Sequence, residues 1–356
     1  MDSLKENKRI VLQSKEKILS ERNVLLDNVK GLIIVLFLFS QIFIQATNYF
    51  ELLPDWFVHS YHMNDATGIV RNASGIPFLN FNFLDLGPVT FFFVIGIIVM
   101  TSFGKREAQY GKVAYKNFFL RNLSIVGLFG LILFIGNKIG GFSWSWNTIM
   151  SVGMTGVFLV PFMLPSIRNN TWIRLACGAG ILLLYHFFNT SSAFQVLFAE
   201  EGGVSACFGY LGIVLLATVI GDMMRKGVFS YAIATLILIG VAALIRYTFG
   251  GAAYYRQYNL SYLIMALAIV NAIYFVLYVL NKLLLKDRPI PVLVTFGRNF
   301  FLFIILSLLA STPILLFQKT LFFQNTEGLL TVFFVALAAF GWLTVPLANN
   351  KILFKL

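Results

Sequence analysis

The chain has 356 residues, 58% hydrophobic and 12% charged, with a net charge of +12 and a mean hydropathy of +0.81. Soluble domains run at about 45–50% apolar and about 25% charged residues, so a water-soluble fold that hides 38 Phe and 14 Tyr is all but excluded and the bilayer becomes the solvent. In such a chain the basic excess encodes topology before it implies nucleic acid, and two cysteines, Cys177 and Cys207, provide neither a disulfide framework nor a zinc spacing.

Residues 1–28 are polar and mixed in charge and read as a cytoplasmic tail leading into a retained anchor. A membrane helix needs about 20 mostly apolar residues. Ten windows qualify, over 29–48, 84–103, 118–136, 147–165, 172–188, 205–224, 228–248, 260–281, 292–312 and 328–347. The fourth and fifth are short and are separated by the turn-rich segment PSIRNNT. With the amino end inside, the cytoplasmic connections carry Lys105, Arg106, Lys112 and Lys116, then Arg168 and Arg174, Arg225 and Lys226, Lys282, Lys286 and Arg288, and finally Lys351 and Lys355. The opposite loops are poor in base, which fits the positive-inside rule. The expectation is an all-α polytopic membrane protein of about ten spans with both termini cytoplasmic. It comprises a single transmembrane domain over 29–348, a long external loop at 49–83 and a cytoplasmic tail at 349–356.

Ionisable groups inside apolar runs are costly, at about 2.5–3.5 kcal/mol at mid-bilayer on insertion scales, and tend to face a cavity, pair, or mark a pathway. Asp27 and Lys30 sit at the inner mouth of the first span, where capping and snorkelling are the plain alternatives to function. Asp85 opens the second span, where an acid suits the positive end of a helix. It also lies at the same membrane face as the loop that holds His59 and His62, and a carboxylate beside an imidazole fixes its tautomer and raises its basicity. Arg121 and Arg298, the latter followed by Asn299, lie near the inner ends of the third and ninth spans. Each can snorkel to lipid phosphate, or the two can form a pocket for a phosphorylated ligand. Asp222 stands three residues before Arg225 and is expected to pair with it, whereas Arg246 and Asn271 have no evident role. Walker A, HExxH and GxSxG motifs and clustered metal ligands are absent from the sequence.

Taken in order, several segments resemble the transmembrane acyltransferase superfamily, in the branch related to heparan-alpha-glucosaminide N-acetyltransferase and its bacterial relatives. RNVLLDNVKGL supplies Arg22, Asp27, Lys30 and Gly31, similar to the family's opening Arg, Asp and basic-Gly pattern. DLGPVTFFFVIG supplies Asp85, Phe91, Phe93 and Gly96, similar to the top of its second span. His59, in DWFVHSY, looks like the branch's catalytic histidine, with His62 as the competitor because no Trp-Asn-Gly follows. KNFFLRNLSIVGLFGLIL, WNTIMSVGMTGVFLVPF, GYLGIVLLATVIGDMM and TFGRNFFLFIILS match later elements in the right order. The other large branch carries a histidine where this chain has Gln41, which is left as a structural or substrate-path residue together with Asp27.

The resemblance implies transfer of an acyl group, with acetyl the expected one, from cytosolic acyl-CoA to an amine or hydroxyl of an extracytoplasmic glycan or glycolipid. In that picture Lys30, Arg121, Arg298 and Asn299 hold the acyl donor, His59 is the general base, and Asp85 orients it. Acetyl-CoA or another acyl-CoA is the co-substrate, with no metal. The partners are the lipid bilayer, acyl-CoA and the glycan acceptor, with no nucleic acid and with homodimerisation open. The expected location is the bacterial cytoplasmic membrane. Two other classes stay open: a transporter or flippase, which discontinuous helices in matched halves would favour, and a noncatalytic membrane assembly protein.

Overall fold

Each of the ten apolar windows contains helix among the residues that the computed structural model describes, which are 24–44, 61–63, 70–72, 83–140, 148–189, 203–248, 259–285, 288–317, 322 and 325–350. The helices are α1 (Val24–Ile44), α2 (Gly87–Tyr110), α3 (Val113–Gly140), α4 (Thr148–Phe158), α5 (Thr171–Asn189), α6 (Gly203–Lys226), α7 (Val228–Thr248), α8 (Leu260–Leu280), α9 (Pro291–Arg298), α10 (Phe300–Phe317) and α11 (Thr326–Asn349). Within the segment expected to be the long external loop, β1 (Tyr61–Met63) and β2 (Val70–Asn72) form an antiparallel pair that sets His62 across from Arg71. Among the described residues, seven helices have the length and apolar composition to cross a bilayer, or eight if α9 and α10 are one bent span. The chain is an integral membrane protein of helical class.

Two windows depart from the expectation of one continuous helix each. Over 147–165, α4 stops at Phe158 and the chain tightens into a 3-10 turn at Val160–Met163, followed by a single helical turn at Pro165–Arg168. Pro161 and Pro165 explain the break, since each lacks an N–H and disfavours helix in the residue before it. Over 292–312, the chain leaves the helix at Asn299 (φ −108°, ψ 38°), and the direction changes by 95° between α9 and α10. The Asn299 amide bonds back to the carbonyls of Thr295 and Phe296 at 3.1 and 3.2 Å. Its Nδ2 donates to the Thr295 carbonyl at 3.2 Å, so the end of α9 is sealed by its own residue.

The structure divides into two compact units, Met1–Tyr49 with Leu280–Leu356, and Phe50–Val279. In the first, α1 packs against α9, α10 and α11. Glycine permits the closest of these contacts: a Cβ on Gly31 would fall on the Leu293 carbonyl, and one on Gly297 on the Asp27 carbonyl. Asn28 Oδ1 accepts from the Ile290 amide at 3.2 Å. Within α9, Leu293 meets Gly31 and Gly297 meets Asp27, so this short helix is seated on the first turns of α1.

Close-packed backbones cannot absorb an extra methyl by rotamer adjustment. Gly31→Ala or Gly297→Ala should therefore destabilise the fold by an amount at the upper end of about 1–3 kcal/mol. Gly240, in α7, has nothing within 4 Å of a built Cβ, and Gly240→Ala should be neutral or stabilising by up to about 1 kcal/mol through helix propensity. Thermal unfolding of the three variants in one detergent checks the contrast.

In the second unit, chain directions can be read from pairs of contacts. Phe92 stacks on Tyr210 at 4.0 Å between centroids, and a Cβ on Gly96 would meet Ala217, so α2 and α6 run parallel. Thr171 reaches Asp222 while Gly178 faces Leu215 and Gly209 faces Tyr185, so α5 runs opposite to α6. Tyr262 reaches Asp85 and Tyr274 reaches Phe93, which makes α8 parallel to α2. Tyr231 and Thr235 of α7 both bond Asn271 of α8, and Tyr231 also meets Tyr278, so α7 is antiparallel to α8. Large apolar side chains on the outward faces, such as Phe229 and Leu236 of α7 and Leu131 of α3, are exposed, as lipid contact requires.

Candidate functional site

Two clusters of polar groups stand at the two ends of the second unit. At the end where α2, α6 and α8 begin, Asp85 sits in a 3-10 turn, Leu84–Leu86, immediately before α2 and is fully buried. The cap residue of α2 is Leu86, and Pro88 lies in its first turn. The backbone oxygen of Asp85 accepts from the Tyr262 hydroxyl at 2.5 Å. Tyr262 is itself held by its amide, which donates to Asn259 Oδ1 at 2.8 Å at the head of α8. A turn residue is thereby tied to a helix 177 positions later in the chain. His62 lies in β1, and His59 falls outside the described residues.

At the other end, the connections that carry Lys105 to Lys116, Arg168 to Arg174 and Arg225 to Lys226 converge through ion pairs. Arg168 Nη1 meets Glu107 Oε2 at 2.5 Å, and Tyr115 donates its hydroxyl to Glu107 Oε1 at 2.7 Å. Burial, and then that hydrogen bond, push the Tyr115 hydroxyl above its ordinary phenolic range. Asp222 accepts from Thr171 Oγ1 at 2.7 Å and is shared by Arg174 and Arg225. The Arg174 side chain is only 3% exposed, and its Nε and Nη1 find no acceptor among the described residues. Arg225 also reaches the Ile97 carbonyl of α2 at 3.5 Å. The expected Asp222–Arg225 pair is present. Arg174, Glu107 and Tyr115 join as partners that spacing along the chain does not announce.

Of the expected donor-binding residues, Arg121 belongs to the second unit and stands in α3, with its guanidinium 5.1 Å from the Phe118 ring centroid. Lys30, Arg298 and Asn299 belong to the first unit. There Arg298 Nε lies 3.7 Å from Asp27 Oδ2, and the Arg298 side chain is 42% exposed while that of Asp27 is 4% exposed. Asn299 is buried and committed to the cap described above, and Gln41 is half-buried in α1. The first unit therefore brings Asp27 to Arg298. Asn271 does have a place: it is fully buried, its Oδ1 accepts from the Tyr231 hydroxyl at 3.0 Å, and its Nδ2 donates to Thr235 Oγ1 at 3.0 Å.

Among the described residues, no group of three or more His, Cys, Asp or Glu side chains is placed to hold a metal ion. A scan against models of known protein families matches none of them. A search of curated proteins finds no significant relative.

Proposed function

We propose that the protein is a membrane acyltransferase that moves an acyl group from cytosolic acyl-CoA to an amine or hydroxyl of a glycan or glycolipid on the far side. The observation that carries this reading is the polarity of the second unit. A buried acid, Asp85, stands at the end where α2, α6 and α8 begin, and Arg168, Arg174 and Arg225 gather at the other end. A thioester donor made in the cytosol bears phosphates that suit the arginine-rich end, and the acceptor meets the acid-bearing end. The ordered match of RNVLLDNVKGL, DLGPVTFFFVIG and TFGRNFFLFIILS supports it. Both termini are then cytoplasmic, and the membrane is the bacterial inner one.

In the reaction, the imidazole of His59 takes the proton from the acceptor as its nitrogen or oxygen attacks the thioester carbonyl. The carbon–sulfur bond breaks and CoA leaves as the thiolate, which regains a proton. A histidine with an ordinary pKa near 6.5 can do this at neutral pH. Asp85 orients the ring, and Arg121, in the same unit, holds donor phosphate. A two-step relay through an acyl-histidine satisfies the same balance.

One feature favours a second reading, a transporter or flippase: the break at Asn299 places irregular backbone inside an apolar segment, as broken helices do at transport sites. The interruption at Val160–Met163 does not occupy a corresponding position in the other half of the chain. Purified protein titrated with acetyl-CoA, and membranes supplied with acetyl-labelled CoA, decide between them. Saturable binding with label appearing on an external glycan is the expected result. Binding without label transfer, or substrate movement into vesicles without any acyl donor, would sink the acyltransferase reading.

A further inference from the structure

The orientation of α9 makes sense if its surroundings are not the hydrocarbon interior but the boundary layer of the membrane. Its axis turns by 95° from α10, and its contacts with α1 stay within the first turns of that helix, at Asp27, Asn28 and Gly31. The apolar helix α10 packs on the membrane-spanning α1, so a helix turned by 95° from α10 runs close to the membrane plane. Its level is set by the segment of α1 that it contacts, which carries Asp27, Asn28 and Lys30 and is the polar end of that span.

The side chains agree with such a position. Val294, Thr295, Phe296 and Gly297 are buried against the unit. Arg288, Pro289, Ile290, Pro291 and Val292 are exposed, with Ile290 at 38% and Val292 at 42%. A guanidinium beside branched aliphatic side chains is poorly suited to bulk water and to hydrocarbon alike. It suits the zone where phosphates and upper acyl chains meet. We propose that Arg288 to Val292 and α9 form an in-plane anchor seated in the phospholipid headgroup layer, with Arg288 on lipid phosphate and Ile290 and Val292 among the upper acyl chains. The inference is independent of acyl transfer.

Depth measurement by spin labelling tests it. With Cys177→Ala as background and buried Cys207 left in place, single cysteines at Ile290, Val292 and Arg298 are labelled in vesicles of phosphatidylcholine with phosphatidylglycerol. Their depths are then read from collision with oxygen and with a water-soluble nickel reagent. A helix along the membrane normal would advance about 1.5 Å per residue, or roughly 12 Å between 290 and 298. An in-plane helix should keep all three within a few ångströms of the phosphate level. Cysteines at Leu32 and Leu36 of α1 provide the ruler. A steady climb from 290 to 298 overturns the proposal, as does greater access to nickel than to oxygen at both 290 and 292. Adding Arg288→Gln should move the label at 292 toward water in the same vesicles, and an unchanged depth there removes Arg288 as the anchor.

Discussion

Replacing His59 with Ala should slow acyl transfer by about 10²–10⁴-fold, the usual contribution of a positioned general base, while His62→Ala retains activity. The rate should be measured as acetyl transfer from labelled acetyl-CoA to the external glycan, with donor binding followed in parallel. Loss of the base leaves in place the arginine proposed to hold donor phosphate, so on that proposal the dissociation constant for acetyl-CoA should stay within a few-fold of the unmodified protein. Asp85→Asn should also depress the rate, because a neutral amide no longer stabilises the charged imidazole. The backbone oxygen that takes the Tyr262 hydrogen bond is untouched by that substitution, so the anchoring of the turn should survive. Activity retained in His59→Ala and lost in His62→Ala would move the base to β1. Activity retained in both would remove the loop from the chemistry.

The second large effect is expected at Asp222, the carboxylate shared by Arg174 and Arg225. Asp222→Leu leaves the Arg174 guanidinium, 3% exposed in its side chain, without its counter-charge, and breaking a buried pair in this way costs about 3–5 kcal/mol. The double variant Arg174→Met with Asp222→Leu should recover most of the loss, because replacing a buried ion pair by apolar residues of similar volume is often near neutral. Arg225 survives that exchange because its side chain is 41% exposed and can turn to water or lipid phosphate. Unfolding midpoints of the single and double variants in detergent measure the coupling directly. An Asp222→Leu protein as stable as the unmodified one would show that the pair contributes nothing to the fold.

Helix positions were legible because lipid imposes a single strong requirement: a long apolar run whose backbone bonds are satisfied internally. Each of the ten windows contains helix for that reason. Breaks inside such runs were not legible at the same level, since PVLVTFGRNFFLFIILS is apolar on average and a window average passes over Arg298 and Asn299. The physical hints were present in Pro291 and in the Gly297 to Asn299 step, but such residues are also common in unbroken membrane helices. Local charge pairing could be read, as with Asp222 and Arg225 three residues apart. Arg174 could not, because the hydrogen bond that joins it to Asp222 closes a loop of 48 residues. Asn271 shows the same limit: its two bonding partners lie 36 and 40 residues earlier, on α7. Of the candidate chemistry, the acid at residue 85 has a defined and buried place, whereas its relation to a histidine depends on residues outside those described.

The bonds between α7 and α8 have a consequence for how α7 is held. Most of α7 presents aliphatic and aromatic groups outward, and a smooth apolar cylinder in lipid has little reason to prefer one azimuth over another. Asn271 removes that freedom, because its amide has a distinct oxygen end for Tyr231 and a distinct nitrogen end for Thr235. Rolling the helix by even a fraction of a turn would strand those dipoles in a medium with no water to replace them. Three small polar groups therefore act as a keyway, selecting a rotational setting for α7 that apolar packing alone would leave ambiguous.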